Sequence, residues 1–177
     1  ASYYVEGVYH DTNSANPIAY AAENLTSGNY TYNLTMENKA VIKQFTGSAV
    51  GTVSAPSSLG GYQVTEILSG AFTNLGSGVT LEIPDNMIVH EYAIKNYAPG
   101  VIKLGQNIIF PDSNPVFGYL GFPRYLENAY TTDGAGYYKQ VFISPNTTWV
   151  KQHEITYARN DGTDSVSYTH LTLPTIA

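Results

Sequence analysis

Two nine-residue stretches of the chain, TLEIPDNMI (80–88) and VIKLGQNII (101–109), agree in kind at nearly every position when one is set over the other. Hydrophobic residues and one asparagine recur at the same places, 21 residues apart. The corresponding pairs are Leu81 and Ile102, Ile83 and Leu104, and Asn86 and Asn107. A period of about 20–29 residues is typical of leucine-rich repeats, whose units each place one strand on a curved solenoid. The match therefore predicts two neighbouring copies of one structural unit.

Each copy is expected to contain a short strand with its hydrophobic residues inward and the alternate residues outward. The outward residues are Thr80 and Glu82 in the first copy and Val101 and Lys103 in the second. We call the outward side of these strands the strand face. Glu82 and Lys103 carry opposite charges, so the sequence predicts either a pair across neighbouring strands or two ligand contacts.

The rest of each copy also repeats, here with an offset of 22 residues. Ala71-Phe72 and Ala93-Ile94 are expected to form short helical turns that pack on the strands. Asn86 and Asn107 are expected at turns, with the side-chain amide directed inward to bond the backbone.

The middle of the chain carries further motifs in a fixed order: FTG (45–47), PSSL (56–59), GYQVTEI (61–67) and Ala71-Phe72. In this order the segment from residue 38 to about 110 resembles BspA-type leucine-rich-repeat proteins. The resemblance implies an exported or surface-displayed protein of a host-associated microbe. It also implies adhesion to host matrix proteins or to other cells.

The flanking segments are predicted to be β caps, since two copies alone are too few for a stable array. The fold class predicted is α/β and β-rich: a short leucine-rich-repeat solenoid with β caps at both ends. The predicted units are an N-terminal β cap (1–37), the BspA-type repeat region (38–123), a C-terminal β cap or the start of another module (124–158), and a tail that is artefactual or disordered (159–177).

Two details refine the C-terminal prediction. Residues 124–131 have the length and composition of two helical turns, and residues 137–158 are expected to contain two strands joined as a hairpin at residues 144–146. The stretch VSYTHLTLPT (166–175) resembles the in-frame translation of a sequencing adapter. The natural protein is therefore expected to diverge near Ser165.

Composition excludes several classes of function. The net charge is −6 with only eight Lys and Arg residues, which gives no basic surface for nucleic acid. No apolar run approaches the ~20 residues of a transmembrane segment. The chain has no cysteine, its four histidines lack metal-site spacing, and it contains no Gly-x-Ser-x-Gly motif. We therefore predict a protein that is not an enzyme and needs no metal or cofactor.

Binding at the cell surface or outside the cell is the function predicted first. The strand-face residues Thr80, Glu82, Val101 and Lys103, with Tyr62 alongside, are expected to contact a host or cell-surface protein.

Two alternatives remain open at this point. One is a carbohydrate-binding accessory module of a larger surface protein, with Tyr137, Tyr138 and Trp149 stacking on the sugar rings. The other is a structural spacer. A row of exposed aromatic rings would favour the sugar ligand, and an aromatic-poor strand face of mixed charge would favour a protein.

Overall fold

The computed structural model describes residues 2–5, 8–11, 19–111, 126–143, 146–158 and 165–170. These residues form a β-rich structure with one short helix and sheets that mix parallel and antiparallel pairing. The predicted α/β, β-rich class is confirmed at this level. The predicted end of the repeat region, residues 112–123, lies outside the described residues.

Most of the described chain is extended. The strands of the first part are β1 (Ser2–Val5), β2 (Val8–Asp11), β3 (Ala19–Ser27), β4 (Tyr30–Thr35), β5 (Ala40–Phe45), β6 (Thr52–Ser54), β7 (Ser58–Leu59) and β8 (Tyr62–Ile67). They are followed by β9 (Phe72–Thr73), β10 (Thr80–Ile83), β11 (Ile88–Val89), β12 (Ile94–Lys95) and β13 (Val101–Leu104). The last elements are the helix α1 (Leu126–Asp133), β14 (Gly136–Ile143), β15 (Asn146–Lys151), β16 (His153–Ala158) and β17 (Ser165–His170).

The first sheet joins the N-terminal strands to the repeat region. Strands β1 to β5 pair antiparallel in chain order, and β8 and β11 then continue the sheet parallel to β5. The short strand β7 pairs antiparallel with β8. The N-terminal segment is therefore hydrogen-bonded to the repeat through β4 and β5.

The second sheet contains the two strands from which the repeat was recognised. Strands β6, β10 and β13 are parallel, and β14 and β15 continue the sheet antiparallel. Thr80 is paired with Val101 and Glu82 with Lys103, so residues 21 positions apart lie side by side. This register confirms that the two stretches are equivalent neighbouring units.

The third sheet corrects the predicted helical turns. Strands β9 and β12 lie where the turns were expected, and they pair parallel with Phe72 beside Ile94. The Phe72 N–H donates to the Ala93 carbonyl at 2.9 Å. A single turn closes just before each strand, where the Ala71 N–H donates to the Leu68 carbonyl at 3.1 Å and the Ala93 N–H to the His90 carbonyl at 3.2 Å. From Phe72 onwards the backbone bonds the neighbouring copy, which leaves the segment extended.

Asparagines occupy corners of both copies in the left-handed region. The φ angles are 57° at Asn74, 59° at Asn86, 68° at Asn96 and 55° at Asn107. The predicted turns at Asn86 and Asn107 are present, but the inward amide was wrong, because both side chains are exposed. The Asn107 Nδ2 instead donates to the Asn86 Oδ1 at 2.9 Å. Asparagine tolerates this backbone conformation better than most residues, which explains its recurrence.

The core lies inside the sheets and consists mainly of the inward residues of the repeat strands. Leu81, Ile83, Ile102 and Leu104 are all buried, as the alternation predicted. Each fully buried aliphatic side chain contributes about 1.5–3 kcal/mol relative to an exposed one. Next to these residues an aromatic cluster forms from Tyr30, Phe45 and Phe72, with ring centroids 5.3–6.4 Å apart.

The helix α1 closes the C-terminal end of the repeat. It lies within two residues of the predicted helical segment, and its Leu126 is buried in the core. The Tyr130 hydroxyl donates to the Gly105 carbonyl at 2.8 Å and accepts from the Ile108 N–H at 3.1 Å. A side chain therefore bonds two backbone groups at the turn after β13.

The C-terminal strands form two hairpin-like pairs. The predicted hairpin is confirmed, because β14 pairs antiparallel with β15 and Ile143 lies opposite Asn146. Strand β16 pairs antiparallel with β17, so the predicted tail contains one paired strand. The tail residues 159–164 and 171–177 lie outside the described residues.

The aromatic cluster makes stability sensitive to high pH. Burial raises the pKa of Tyr30 from 10 to about 12, and its hydroxyl donates to the Ser54 carbonyl at 2.7 Å. The unfolded chain loses the Tyr30 hydroxyl proton at a lower pH than the folded chain does. We therefore expect the full contribution of Tyr30 to the free energy of unfolding below pH 10. The free energy of unfolding should fall by about 1–2 kcal/mol as the pH rises towards 12. Burial also raises the pKa of Tyr138, which acts in the same direction.

Urea unfolding of the parent chain and of Tyr30→Phe at several pH values from 8 to 12 tests this expectation. Tyr30→Phe should lose about 1 kcal/mol at pH 8 because the hydrogen bond is gone. It should also show a flatter fall above pH 10. Tyr97→Phe, which changes an exposed ring, is the matched control and should retain the slope of the parent chain. If stability fell with pH at the same slope in all three chains, the pH dependence could not be assigned to Tyr30.

Candidate functional site

The strand face is formed as the sequence predicted. Thr80 and Glu82 on β10 lie beside Val101 and Lys103 on β13, and all four side chains retain exposure. Their inward neighbours in the strands are buried. The cause is the two-residue period of a strand, which fixes one face once the other packs on the core.

Four of the face residues form a continuous series across four strands, which we call the polar row: Ser54, Glu82, Lys103 and Tyr137. The Ser54 hydroxyl donates to the Glu82 Oε2 at 3.1 Å. The Lys103 Nζ lies 3.9 Å from the Glu82 Oε1 and 5.4 Å from the centroid of the Tyr137 ring. The polar row therefore presents a hydroxyl, a carboxylate, an ammonium and an aromatic ring in that order.

The Glu82–Lys103 pair is the cross-strand pair that the sequence predicted as one possibility. Both side chains are partly exposed, with 33% and 45% of their surface accessible. An exposed pair of this kind contributes about 0–1 kcal/mol to stability, because water competes for both charges. Little free energy is therefore lost if a ligand group replaces one partner.

An open depression of about 260 Å³ lies at the carboxyl ends of β6, β10 and β13. Apolar groups line part of it, and Glu82, Asp85 and Lys103 stand around it. The lining residues are Ser54, Ala55, Glu82, Ile83, Pro84, Asp85, Lys103 and Gly105. The Asp85 Oδ1 accepts the Gln106 N–H at 2.8 Å, which holds this carboxylate in place.

The chain matches no protein-family model, no curated protein sequence and no solved structure.

Tyr62 is not part of this site. It lies on β8, in the first sheet, and is half-buried against the core. The expectation that it stands alongside the strand face was wrong, because that expectation assumed one sheet for both segments. The copies instead divide their strands among three sheets.

The three candidate sugar-stacking residues differ in how far they are buried. Tyr138 has 0% and Trp149 3% of its surface exposed, so neither ring offers a face to a ligand. Both point inward because Tyr138 pairs with the inward residue Ile102, and Trp149 pairs with Gln140 two residues further along β14. Tyr137, which is 42% exposed, faces outward beside Lys103. The proposed aromatic platform is thus reduced to one ring.

Ser54, a member of the polar row, was missed by the sequence analysis. Strand β6 pairs with β10 so that Thr52 lies beside Thr80 and Ser54 beside Glu82. The signal was present in Thr-Val-Ser and Thr-Leu-Glu, which share a polar, hydrophobic, polar order. It was weak because Ser54 and Glu82 are 28 residues apart and do not follow the 21-residue period.

Two further observations concern metal binding and membrane-spanning helices. In the part of the chain that the structure describes, no group of three or more His, Asp or Glu side chains is placed to hold a metal ion. Across the same residues, no helix has both the length and the apolar character needed to span a membrane.

Proposed function

We propose that this chain is an exported or cell-surface binding module that recognises a protein through its strand face. Its repeat region is a short leucine-rich-repeat solenoid of the BspA type, with β caps at both ends. The parallel pairing of equivalent strands at the repeat spacing supports this architecture. The sequence resemblance supports an extracellular or cell-surface location and adhesion as the role.

The polar row is the observation that carries the proposal. It places opposite charges on adjacent strands of an exposed sheet, with a serine hydroxyl on one side and a tyrosine ring on the other. Ordered charges of this kind favour one orientation of a partner and reject others. Tyrosine supplies a large contact area at a low entropic cost.

Protein is favoured over carbohydrate as the ligand because the described part of the strand face has a single exposed aromatic ring, Tyr137. Sugar stacking as envisaged for Tyr138 and Trp149 would require rings that the fold buries. The mixed charge of Glu82 and Lys103 also distinguishes the face from that of a featureless spacer.

Solid-phase binding to a panel of matrix proteins and glycans tests the proposal. The parent chain should bind at least one protein saturably, and Glu82→Ala/Lys103→Ala should weaken that binding about tenfold, which corresponds to about 1.4 kcal/mol.

The matched control is Glu37→Ala/Lys43→Ala, which removes one charge of each sign at exposed positions away from the strand face. This variant should bind as the parent chain does. Equal losses in both double variants would refute recognition by the strand face. Binding to glycans alone would favour the carbohydrate alternative.

A further inference from the structure

The depression beside the polar row holds a carboxylate that has no cationic partner among the residues that the structure describes. Asp85 is exposed and accepts one backbone hydrogen bond through Oδ1, and within the described residues its second oxygen has no hydrogen-bond or ion-pair partner. Glu82, by contrast, has its two oxygens near Ser54 and Lys103. Asp85 is therefore the carboxylate of the depression that remains available to a ligand.

The shape of the depression complements a side chain that is apolar along its length and positively charged at its end. Pro84 is partly exposed and supplies apolar surface, and the largely buried Ala55 and Ile83 also line the depression, together with Gly105. The methylene stems of arginine and lysine pack on apolar surface while the charged head stays at a polar rim. Two carboxylates and one ammonium surround the site, so one negative charge remains in excess.

We infer that the partner protein inserts one basic side chain, arginine or lysine, into this depression, and that Asp85 selects it. The inference rests on the proposed function, since it assigns a contact to the same strand face. The whole chain is acidic, with a net charge of −6, which attracts a basic surface as the partner approaches. Arginine is also enriched among residues that dominate protein interfaces.

The experiment is an NMR titration of the full chain with N-acetyl-arginine amide, N-acetyl-lysine amide and N-acetyl-citrulline amide. Citrulline is close in shape to arginine but carries no charge. We expect saturable amide shifts at Asp85, Gly105 and Gln106 with at least one of the two basic probes. The citrulline probe should bind at least about fivefold more weakly than that basic probe. Asp85→Asn should weaken binding of the basic probe about fivefold.

The control variant is Glu37→Gln, which removes one negative charge at an exposed turn between β4 and β5. It should bind the basic probe as the parent chain does. Equal weakening by Asp85→Asn and Glu37→Gln, equal binding of arginine and citrulline, or shifts that map elsewhere would each overturn the inference. The titration needs no natural partner, so it can fail while the strand face still binds a protein on the panel.

Discussion

Phe72→Ala is expected to destabilise the chain by about 3–5 kcal/mol. Phe72 has 0% of its surface exposed and contacts Tyr30 and Phe45 in the aromatic cluster. It also lies on β9, whose backbone pairs with β12, so the surrounding chain has little freedom to fill the space. Truncation removes a large apolar side chain and leaves a cavity, and both effects lower the free energy of unfolding. Urea denaturation followed by circular dichroism measures the change.

Tyr97→Ala is the matched control, because Tyr97 is 67% exposed. A substitution on the surface is expected to change stability by no more than about 0.5 kcal/mol. If Phe72→Ala cost as little as Tyr97→Ala, the aromatic cluster would not be packed as the structure describes it.

Gly105→Ala is expected to destabilise the chain by about 3 kcal/mol. Gly105 lies beside the backbone of the preceding copy, and a Cβ atom there would stand 2.5 Å from the Asp85 nitrogen and 2.7 Å from the Pro84 carbonyl carbon. These are backbone atoms of a paired copy, so they cannot move aside as a flexible side chain would. Relief of the contact requires the two copies to separate at this corner. The same denaturation measurement reports the loss.

Gly78→Ala provides the control within the preceding copy. A Cβ atom at Gly78 meets nothing within 4 Å, and the backbone there is not left-handed. Alanine at such a site lowers the entropy of the unfolded chain, so stability should rise by about 0.4–1 kcal/mol or stay level. If Gly105→Ala were tolerated as well as Gly78→Ala, the close approach of the two copies at Gly105 would be refuted.

The strand face could be predicted from the sequence because short sequence patterns determine which residues form it. The alternation in β10 and β13 fixes which side chains face outward, and the 21-residue match fixes which residues become neighbours. Glu82 and Lys103 were paired on these grounds alone.

The remaining site residues depended on contacts that no local pattern encodes. Tyr137 and Tyr138 are adjacent aromatic residues, so alternation alone does not tell which one is buried. Only the pairing of Tyr138 with Ile102 decides it. Ser54 belongs to the polar row because the three-residue strand β6 pairs with β10, and the spacing of these two strands does not follow the repeat period. Asp85 lies beside the depression because the ends of β6, β10 and β13 come together there, and no local pattern in the sequence shows this.

The matching corners at Asn86 and Asn107 have a consequence for how such a chain can change in length. The φ angles of the two asparagines, 59° and 55°, are nearly the same, so successive copies turn through the same left-handed conformation at this corner. Duplication of a whole 21-residue unit would add one strand, about 4.8 Å, to the width of the second sheet. Tyr130 would then bond the last corner of the added unit, as it now bonds Gly105 and Ile108. The area open to a partner could thus grow in fixed steps while both ends kept their present form.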